Sequence, residues 1–342
     1  MKMINEEIAI LEFEPETCCP NCKGLKKNTE VLYCKKYKGK IIDRKVLCKG
    51  CGLIYKSPKM TSESSDFFYN NLYMDYMFGS EKVDPHELHY NMGRKRKPEL
   101  DLFSKEIINA KYPPLEIGCS SGGVLSVLEE INSLSIGIDI DSQSIESAKK
   151  MGVNAEYINL FDLPNKSRDF ILMSHTVEHL EDISIMMEKV SKVLVDGGHL
   201  LIFVPDSYRI LEPPHLPHEY CFSRETLKST LSRYRLKEEM FIYLKERPDR
   251  FWGDLIMLFK KDPKMKYYKS NYSYLPFFKY KYYLKIYSII NPFLMATNTK
   301  SIARKFLRSS SKKERFEGMN FWCWFLGHRG VLVNGHALCE RC

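Results

Sequence analysis

The sequence predicts an α/β fold, a doubly wound and mostly parallel sheet with helices on both faces, with a cysteine-rich module before it and a basic extension after it. Two observations lead to the sheet. Short apolar runs at 114–117, 134–138, 153–158, 170–173 and 199–204 alternate with amphipathic stretches, which is the rhythm of βαβ units. One such stretch, 183–194, sets Ile183, Met186, Met187, Val190 and Leu194 on one helical face. Right-handed crossovers between such units give parallel strands, and ligands of such sheets bind beyond the carboxyl ends of the strands. A third observation, CxxC pairs near the N-terminus and again at the C-terminus, predicts the flanking modules.

Composition bounds the alternatives. Of the 342 residues 44% are hydrophobic and 13% aromatic, enough to bury a core, which excludes a chain disordered throughout. The longest apolar runs fall well short of the roughly 20 residues of a membrane helix. The opening MKMINEEIAILEFEPE lacks a basic segment followed by an apolar one, so no secretory leader is expected and the thiols are placed in the reducing cytoplasm. Eleven cysteines there read as metal ligands or core residues before disulfides. The net charge of +9 is concentrated between 260 and 315, where 15 Lys or Arg face only Asp262 and Glu314, and the remainder of the chain is net negative. The expected divisions are 1–58, a metal-binding ribbon; 59–98, a connecting or lid segment; 99–260, the sheet domain; 261–318, a basic aromatic-rich extension; and 319–342, a Cys/His knuckle.

The strongest local motif is LEIGCSSGG at 115–123, an apolar strand entering a small-residue turn that opens a helix at 124–131. Small residues let the backbone approach a ligand, and the helix N-terminus offers unpaired amides to it. Glu116 stands where dinucleotide dehydrogenases carry an apolar residue, and Asp139 ends the next strand about 20 residues on, where a carboxylate accepts ribose hydroxyls. A ribose-bearing cofactor without a pyrophosphate fits this pattern.

Through these motifs residues 99–260 resemble the class I S-adenosylmethionine-dependent methyltransferases, whose seven-stranded Rossmann-like sheet they would adopt. LEIGCSSGG is similar to the family's first motif, GIDID at 137–141 to its ribose-binding strand end, NLFDLP at 159–164 to its adenine loop, and DFILMSHTVEHL at 169–180 to the fourth strand and following turn. The resemblance implies that Gly118, Ser120 and Gly122 line the methionine part of S-adenosylmethionine, with Glu116 among the cofactor-binding residues. It implies Asp139 at the ribose, and Asn159 with the Leu160 amide at the adenine. It further implies a helix capped by Ser223 and a closing antiparallel pair at 236–244 and 254–259, so that the sheet is complete by Lys260.

Methyl transfer from a sulfonium is an in-line displacement, so a hydroxyl acceptor must be held close to the methyl group and deprotonated. His179, His218, Glu178 and His175 are the expected catalytic group, from the turn after the fourth strand and the loop after the fifth, with His215 a lesser alternative. The order His175-Thr176-Val177-Glu178-His179 resembles the HExxH zinc helix, but its Glu adjoins the second His and the sequence offers no evident third ligand, so no metal is expected there.

Cys19-Pro20-Asn21-Cys22 and Cys48-Lys49-Gly50-Cys51, joined by a β-rich segment, have the spacing of a zinc ribbon in which four thiolates close a structural Zn2+ site, with Cys18 and Cys34 as competing thiols. Cys323, His328, Cys339 and Cys342 suit a second zinc knuckle, with His336 as a competitor. A ribbon joined to such a domain resembles bacterial methyltransferases of sugar and cell-surface glycan pathways. Tyr69, Tyr73 and Tyr76 would then form a lid or simply pack on the sheet.

The expected activity is transfer of a methyl group to a small-molecule hydroxyl of a sugar or glycan precursor. The alternatives are an RNA ribose or protein methyltransferase that uses the zinc modules and basic tail, and a non-catalytic binding module. Ten aromatics interleave with lysines between Met265 and Tyr287. That surface reads first as a solvated face, then as peripheral contact of 261–315 with the anionic inner membrane surface, then as a nucleic-acid contact.

Overall fold

The computed structural model describes residues 2–78, 84–206, 216–244 and 254–270, and the backbone of an antiparallel hairpin, Val331–Val333 with His336–Leu338. Its centre is a seven-stranded sheet of β1 (Leu115–Ile117), β2 (Ile136–Asp139), β3 (Ala155–Tyr157), β4 (Arg168–Ser174), β5 (Leu194–Pro205), β6 (Leu236–Tyr243) and β7 (Asp254–Lys261). The spatial order is β6-β7-β5-β4-β1-β2-β3. The five strands β1 to β5 run parallel, and β7 is antiparallel to both β5 and β6. The order reverses between β1 and β4, so their carboxyl ends open a crevice there, the position such sheets use for ligands.

Strands covered on both faces must be apolar throughout rather than alternating. Accordingly Phe170, Ile171, Leu172 and Met173 of β4 and Leu200, Leu201, Ile202, Phe203 and Val204 of β5 are fully buried. The helix Ile183–Val193 inserts Ile183, Met187, Val190 and Val193 into that core, while Met186 packs at its margin. Asp182 starts this helix by accepting the Ser184 and Ile185 amides at 2.7 and 3.1 Å, a cap worth about 1 kcal/mol. Ser223 caps Arg224–Ser232 in a reciprocal pair with Thr226.

The cysteine-rich segment forms three antiparallel strands, Thr29–Tyr37, Lys40–Cys48 and Ile54–Lys56. Residues 213–221 read from sequence as a loop, yet Tyr220–Cys221 extends as a fourth strand against Ile54 and Tyr55. The boundary expected at 58 is therefore no break in packing: Cys19, Val46, Leu53 and Tyr55 share one core with Leu115, Met173, Tyr220 and Phe222. Three short strands expose an apolar face that needs covering, and the sheet domain covers it.

Residues 59–98 are largely helical, at Ser62–Asn71, Tyr73–Phe78 and Pro85–Arg94. Thr61 and Asp84 cap two of these helices, and Phe68 is buried with Ile8, Leu11, Ile42, Met60, Leu72 and Leu216. Among the described residues no helix is long and apolar enough to cross a membrane. His215, Cys323, His328, Cys339, Cys342 and the extension from 271 to 330 lie outside the described residues.

Candidate functional site

The turn after β1 is built from backbone that only small residues tolerate. Gly118, Ser120 and Gly122 have φ of +75°, +46° and +79°. A Cβ on Gly118 would lie 2.6 Å from Thr176, so the glycine lets the turn and the loop after β4 touch. Across the turn, the Ser120 amide donates to Asp139 Oδ2 at 2.8 Å and the Asp141 amide to Asp139 Oδ1 at 2.9 Å. Asp139 thus faces the glycine turn from the end of β2, where the family resemblance expects the ribose. Glu116 is buried beneath the turn with Oε2 unbonded, and burial, then the Asp139 charge, raises its pKa well above the ordinary value. That unbonded oxygen, Glu116 Oε2, is a polar group that a cofactor in the turn could engage. Asn159 caps the short helix Leu160–Asp162, its Oδ1 accepting the Phe161 amide at 3.0 Å, so a structural task already occupies this oxygen.

The structure brings Glu178, His179 and His218 together, with one donor atom of each lying within 4.8 Å of the others. Glu178 is 1% exposed and neither carboxylate oxygen has a hydrogen-bond partner. The Pro217 carbonyl, which can only accept, lies 3.2 Å from His179 Nδ1, so Nδ1 carries the proton and the lone pair is left on Nε2. Tyr69 reinforces this with its hydroxyl 3.0 Å from Nδ1 and 3.2 Å from the same carbonyl. Burial lowers the His179 pKa, with Glu178 opposing, so the ring is neutral near pH 7. The His179 and His218 rings meet edge to face at 4.8 Å, and Tyr69 and Tyr73 stack edge-on against His179 from the other helical layer. Burial, then the charges of Glu178 and Asp139, push the Tyr73 hydroxyl upward. Tyr69, Tyr73 and Tyr76 also pack against Phe68, and Tyr76 has no ring contact with His179 among the described residues.

His175 touches Glu178 but is not one of the converging trio. Its Nε2 lies 2.6 Å from Arg96 Nη2, and Arg96 pairs through Nη1 with the buried Asp254 at the start of β7. Burial pulls the imidazole down, but Asp254 and Glu178 outweigh it and hold it up to about 9. Its Nδ1 lies 3.3 Å from a Glu178 oxygen and its Nε2 3.6 Å from an Asp254 oxygen, so the ring sits between two buried carboxylates. His175 thus ties the turn after β4 to Asp254 at the start of β7. Arg96 and Asp254 carried no signal in sequence, because Arg96 sits in a surface-like basic run and Asp254 at a strand end.

The ribbon sheet positions the His218 loop. Lys45 Nζ, fully buried, donates to Asp43 at 2.9 Å and to the His218 carbonyl at 2.6 Å. Lys56 Nζ donates to the Leu216 carbonyl at 3.0 Å and to Glu219 at 3.2 Å, and the Glu219 amide donates to the Glu178 carbonyl at 2.8 Å. Two lysines read as generic charge in a Cys/Lys-rich segment therefore hold the loop that brings His218 to Glu178.

Cys19, Cys22, Cys48 and Cys51 converge, with Cys19 and Cys51 sulfurs 3.6 Å apart and Cys22 and Cys48 sulfurs 3.5 Å apart. Both turns close alike: the Lys23 amide donates to the Cys19 carbonyl and the Gly52 amide to the Cys48 carbonyl, with positive φ at Lys23 and Gly52. Hydrogen bonds among the thiols push Cys19 up and pull Cys22 down, a sharing of protons that tetrahedral metal binding would replace. Cys34 is exposed on its strand and neither it nor Cys18 joins the cluster.

Residues 115–202 match the family model for a methyltransferase domain. Over 112 residues the chain is 30% identical to an uncharacterized protein of Methanocaldococcus jannaschii, covering 32% of this chain and 52% of that protein. It is 32% identical over 107 residues to a ubiquinone biosynthesis O-methyltransferase of Chelativorans sp., covering 29% of this chain and 41% of that enzyme. The chain thus spans about half the length of the curated relatives it matches. Magnesium protoporphyrin IX methyltransferase of Synechocystis, solved with bound SAH, overlays with a TM-score of 0.44 at 15% identity, covering 59% of this chain and 99% of that one. The strands that carry the glycine turn and the loop with His175 and His179 lie within the stretch that matches the methyltransferase-domain model.

Proposed function

We propose that the protein is an S-adenosylmethionine-dependent methyltransferase acting on a hydroxyl group of a small molecule, of the sugar or glycan-precursor kind. The observation that carries this reading is the Glu178, His179 and His218 group, set against the glycine turn through Thr176 and Gly118. When bound, S-adenosylmethionine supplies an electrophilic methyl group on a positively charged sulfur. Gly118, Ser120 and Gly122 shape the turn against which its methionine part would lie, Asp139 would accept the ribose hydroxyls, and Asn159 and the Leu160 amide would meet the adenine. The acceptor hydroxyl must lose a proton as its oxygen takes the methyl. His179 is fitted to that step, being neutral, buried, and fixed so that Nε2 is its lone-pair nitrogen. Tyr69 and Tyr73 would keep water from this side. The O-methyltransferase named among the relatives supports an oxygen acceptor.

The four converging thiols support a structural zinc that closes the ribbon, with no position left for substrate. A panel of hydroxyl acceptors assayed for S-adenosylhomocysteine release tests the activity. Turnover of a sugar-type alcohol is expected, and calorimetry showing no S-adenosylmethionine binding to the wild type would sink the reading.

A further inference from the structure

Glu178 presents a problem that the methyltransferase reading does not solve. A carboxylate removed from water costs several kcal/mol unless hydrogen bonds or a partner charge offset it, yet both oxygens of this 1%-exposed side chain lack hydrogen bonds. One oxygen lies 3.3 Å from His175 Nδ1 without hydrogen-bonding geometry, and that imidazole is shared with Asp254. On the other side of Glu178 stand two imidazoles. Their donor atoms and a Glu178 oxygen all lie within 4.8 Å of one another. A shared ion at about 2.1 Å from each would draw them to roughly 3–4 Å apart, a side-chain adjustment.

We propose that Glu178, His179 and His218 bind a divalent first-row transition ion. Two imidazoles and one carboxylate suit Zn2+, Fe2+, Co2+ or Ni2+, and three protein donors leave coordination positions open, as in catalytic rather than structural sites. The surrounding residues have the form such a site needs. His179 Nδ1–H is held by the Pro217 carbonyl and Tyr69, which fixes the tautomer that turns Nε2 into a donor. The His218 backbone is fixed by the Lys45 ammonium, and the two loops are joined by the bond from the Glu219 amide to the Glu178 carbonyl. The sequence hid the third donor because His218 lies 39 positions after His179 and reaches it only when Tyr220–Cys221 pairs with the ribbon.

The role of the ion rests on the proposed hydroxyl methylation, although its binding does not. An acceptor hydroxyl on an open position of the ion would have its pKa lowered, and so would lose its proton before or during methyl transfer. The proton would pass to solvent water, the oxygen would take the methyl group as its bond to sulfur breaks, and S-adenosylhomocysteine would leave, so that His179 serves as an ion ligand rather than as a free base.

The test uses the full chain with zinc saturating its cysteine sites, the Cys19, Cys22, Cys48, Cys51 quartet and the C-terminal Cys/His set alike, before titration with Co2+. Expected is one further saturable equivalent whose visible absorption lacks the sulfur-to-cobalt charge-transfer band of a thiolate site. Glu178→Gln should weaken this binding more than about tenfold, and His218→Ala should do so independently. If either variant fails to fold, as read by circular dichroism, the other still decides. Absence of a saturable equivalent in the wild type, or equal Co2+ affinity in the folded variants, overturns the proposal. S-adenosylmethionine affinity, measured in parallel by calorimetry, should persist in both variants. Its absence in the wild type would count against the methyltransferase reading while leaving the cobalt result to stand.

Discussion

The Cys19, Cys22, Cys48, Cys51 quartet and the Glu178, His179, His218 trio are both sets of metal-competent donors, and they differ in what surrounds them. In the quartet the donors face one another, come from two turns of the same form, and form a closed set of four. In the trio the donors come from two loops far apart in sequence, number three, and include a carboxylate without hydrogen bonds. The quartet's geometry follows from local spacing, whereas the trio's is imposed by packing. The first suits a structural role and the second an open, reactive one. The link between them is physical: Lys45 and Lys56, on strands of the quartet's own sheet, hold the His218 loop.

The largest effect should come from breaking the quartet. Replacing Cys51 with Ser removes one of four thiolates, and closed zinc sites contribute folding free energy directly, so a loss of about 5 kcal/mol or more is expected. Because Tyr220–Cys221 pairs with the ribbon strand, the His218 loop should lose its order with it. A melting curve with metal analysis checks this. Unchanged stability together with a lost zinc equivalent would mean the ribbon stands without its metal.

Cutting the link alone is the sharper test. Lys45→Met leaves Asp43 buried without its ammonium, which should cost about 3–5 kcal/mol. In the double variant with Asp43→Leu the unpaired charge is gone, so stability should largely return, while the bond to the His218 carbonyl stays missing. Methyl transfer should then remain impaired with the zinc equivalent intact. Full activity in the double variant would show that the loop needs no brace from the ribbon.

Within the trio, His179→Ala should reduce turnover about 100-fold, equivalent to about 2.7 kcal/mol of barrier, with cofactor affinity retained. Steady-state rates beside calorimetric titration separate the two. A loss of S-adenosylmethionine binding equal to the loss of rate would place His179 in the cofactor site instead.

What was legible in the sequence was local. The strands around 114–117 and 199–204 announced themselves because doubly covered strands are apolar without a break, and the glycine turn because left-handed backbone calls for small residues. The four thiols were readable from two CxxC turns. The trio was half legible: His179 and His218 were both singled out, but a third donor for His179 was judged absent because pairing of 220–221 with 54–55 is a tertiary event. Arg96, Asp254, Lys45 and Lys56 were illegible for the same reason, since a charged side chain in a polar stretch is ordinarily at the surface and these four are held inside by partners as many as 173 positions away.

The smallest effect belongs to the residue whose two readings compete most closely. Asn159 caps Leu160–Asp162 in the structure and is expected at the adenine from the resemblance. Alanine removes both, with about 1 kcal/mol of stability lost through the cap. Aspartate caps as well as asparagine, so Asn159→Asp should melt like the wild type. It lacks the amide nitrogen, however, and presents only acceptors, so any use of that donor at the cofactor disappears selectively. If Asp binds S-adenosylmethionine as the wild type does while Ala binds more weakly, an acceptor oxygen or the helix geometry it maintains is what the adenine senses. If both bind like the wild type, Asn159 is a cap alone and the ring is read by the backbone at Leu160.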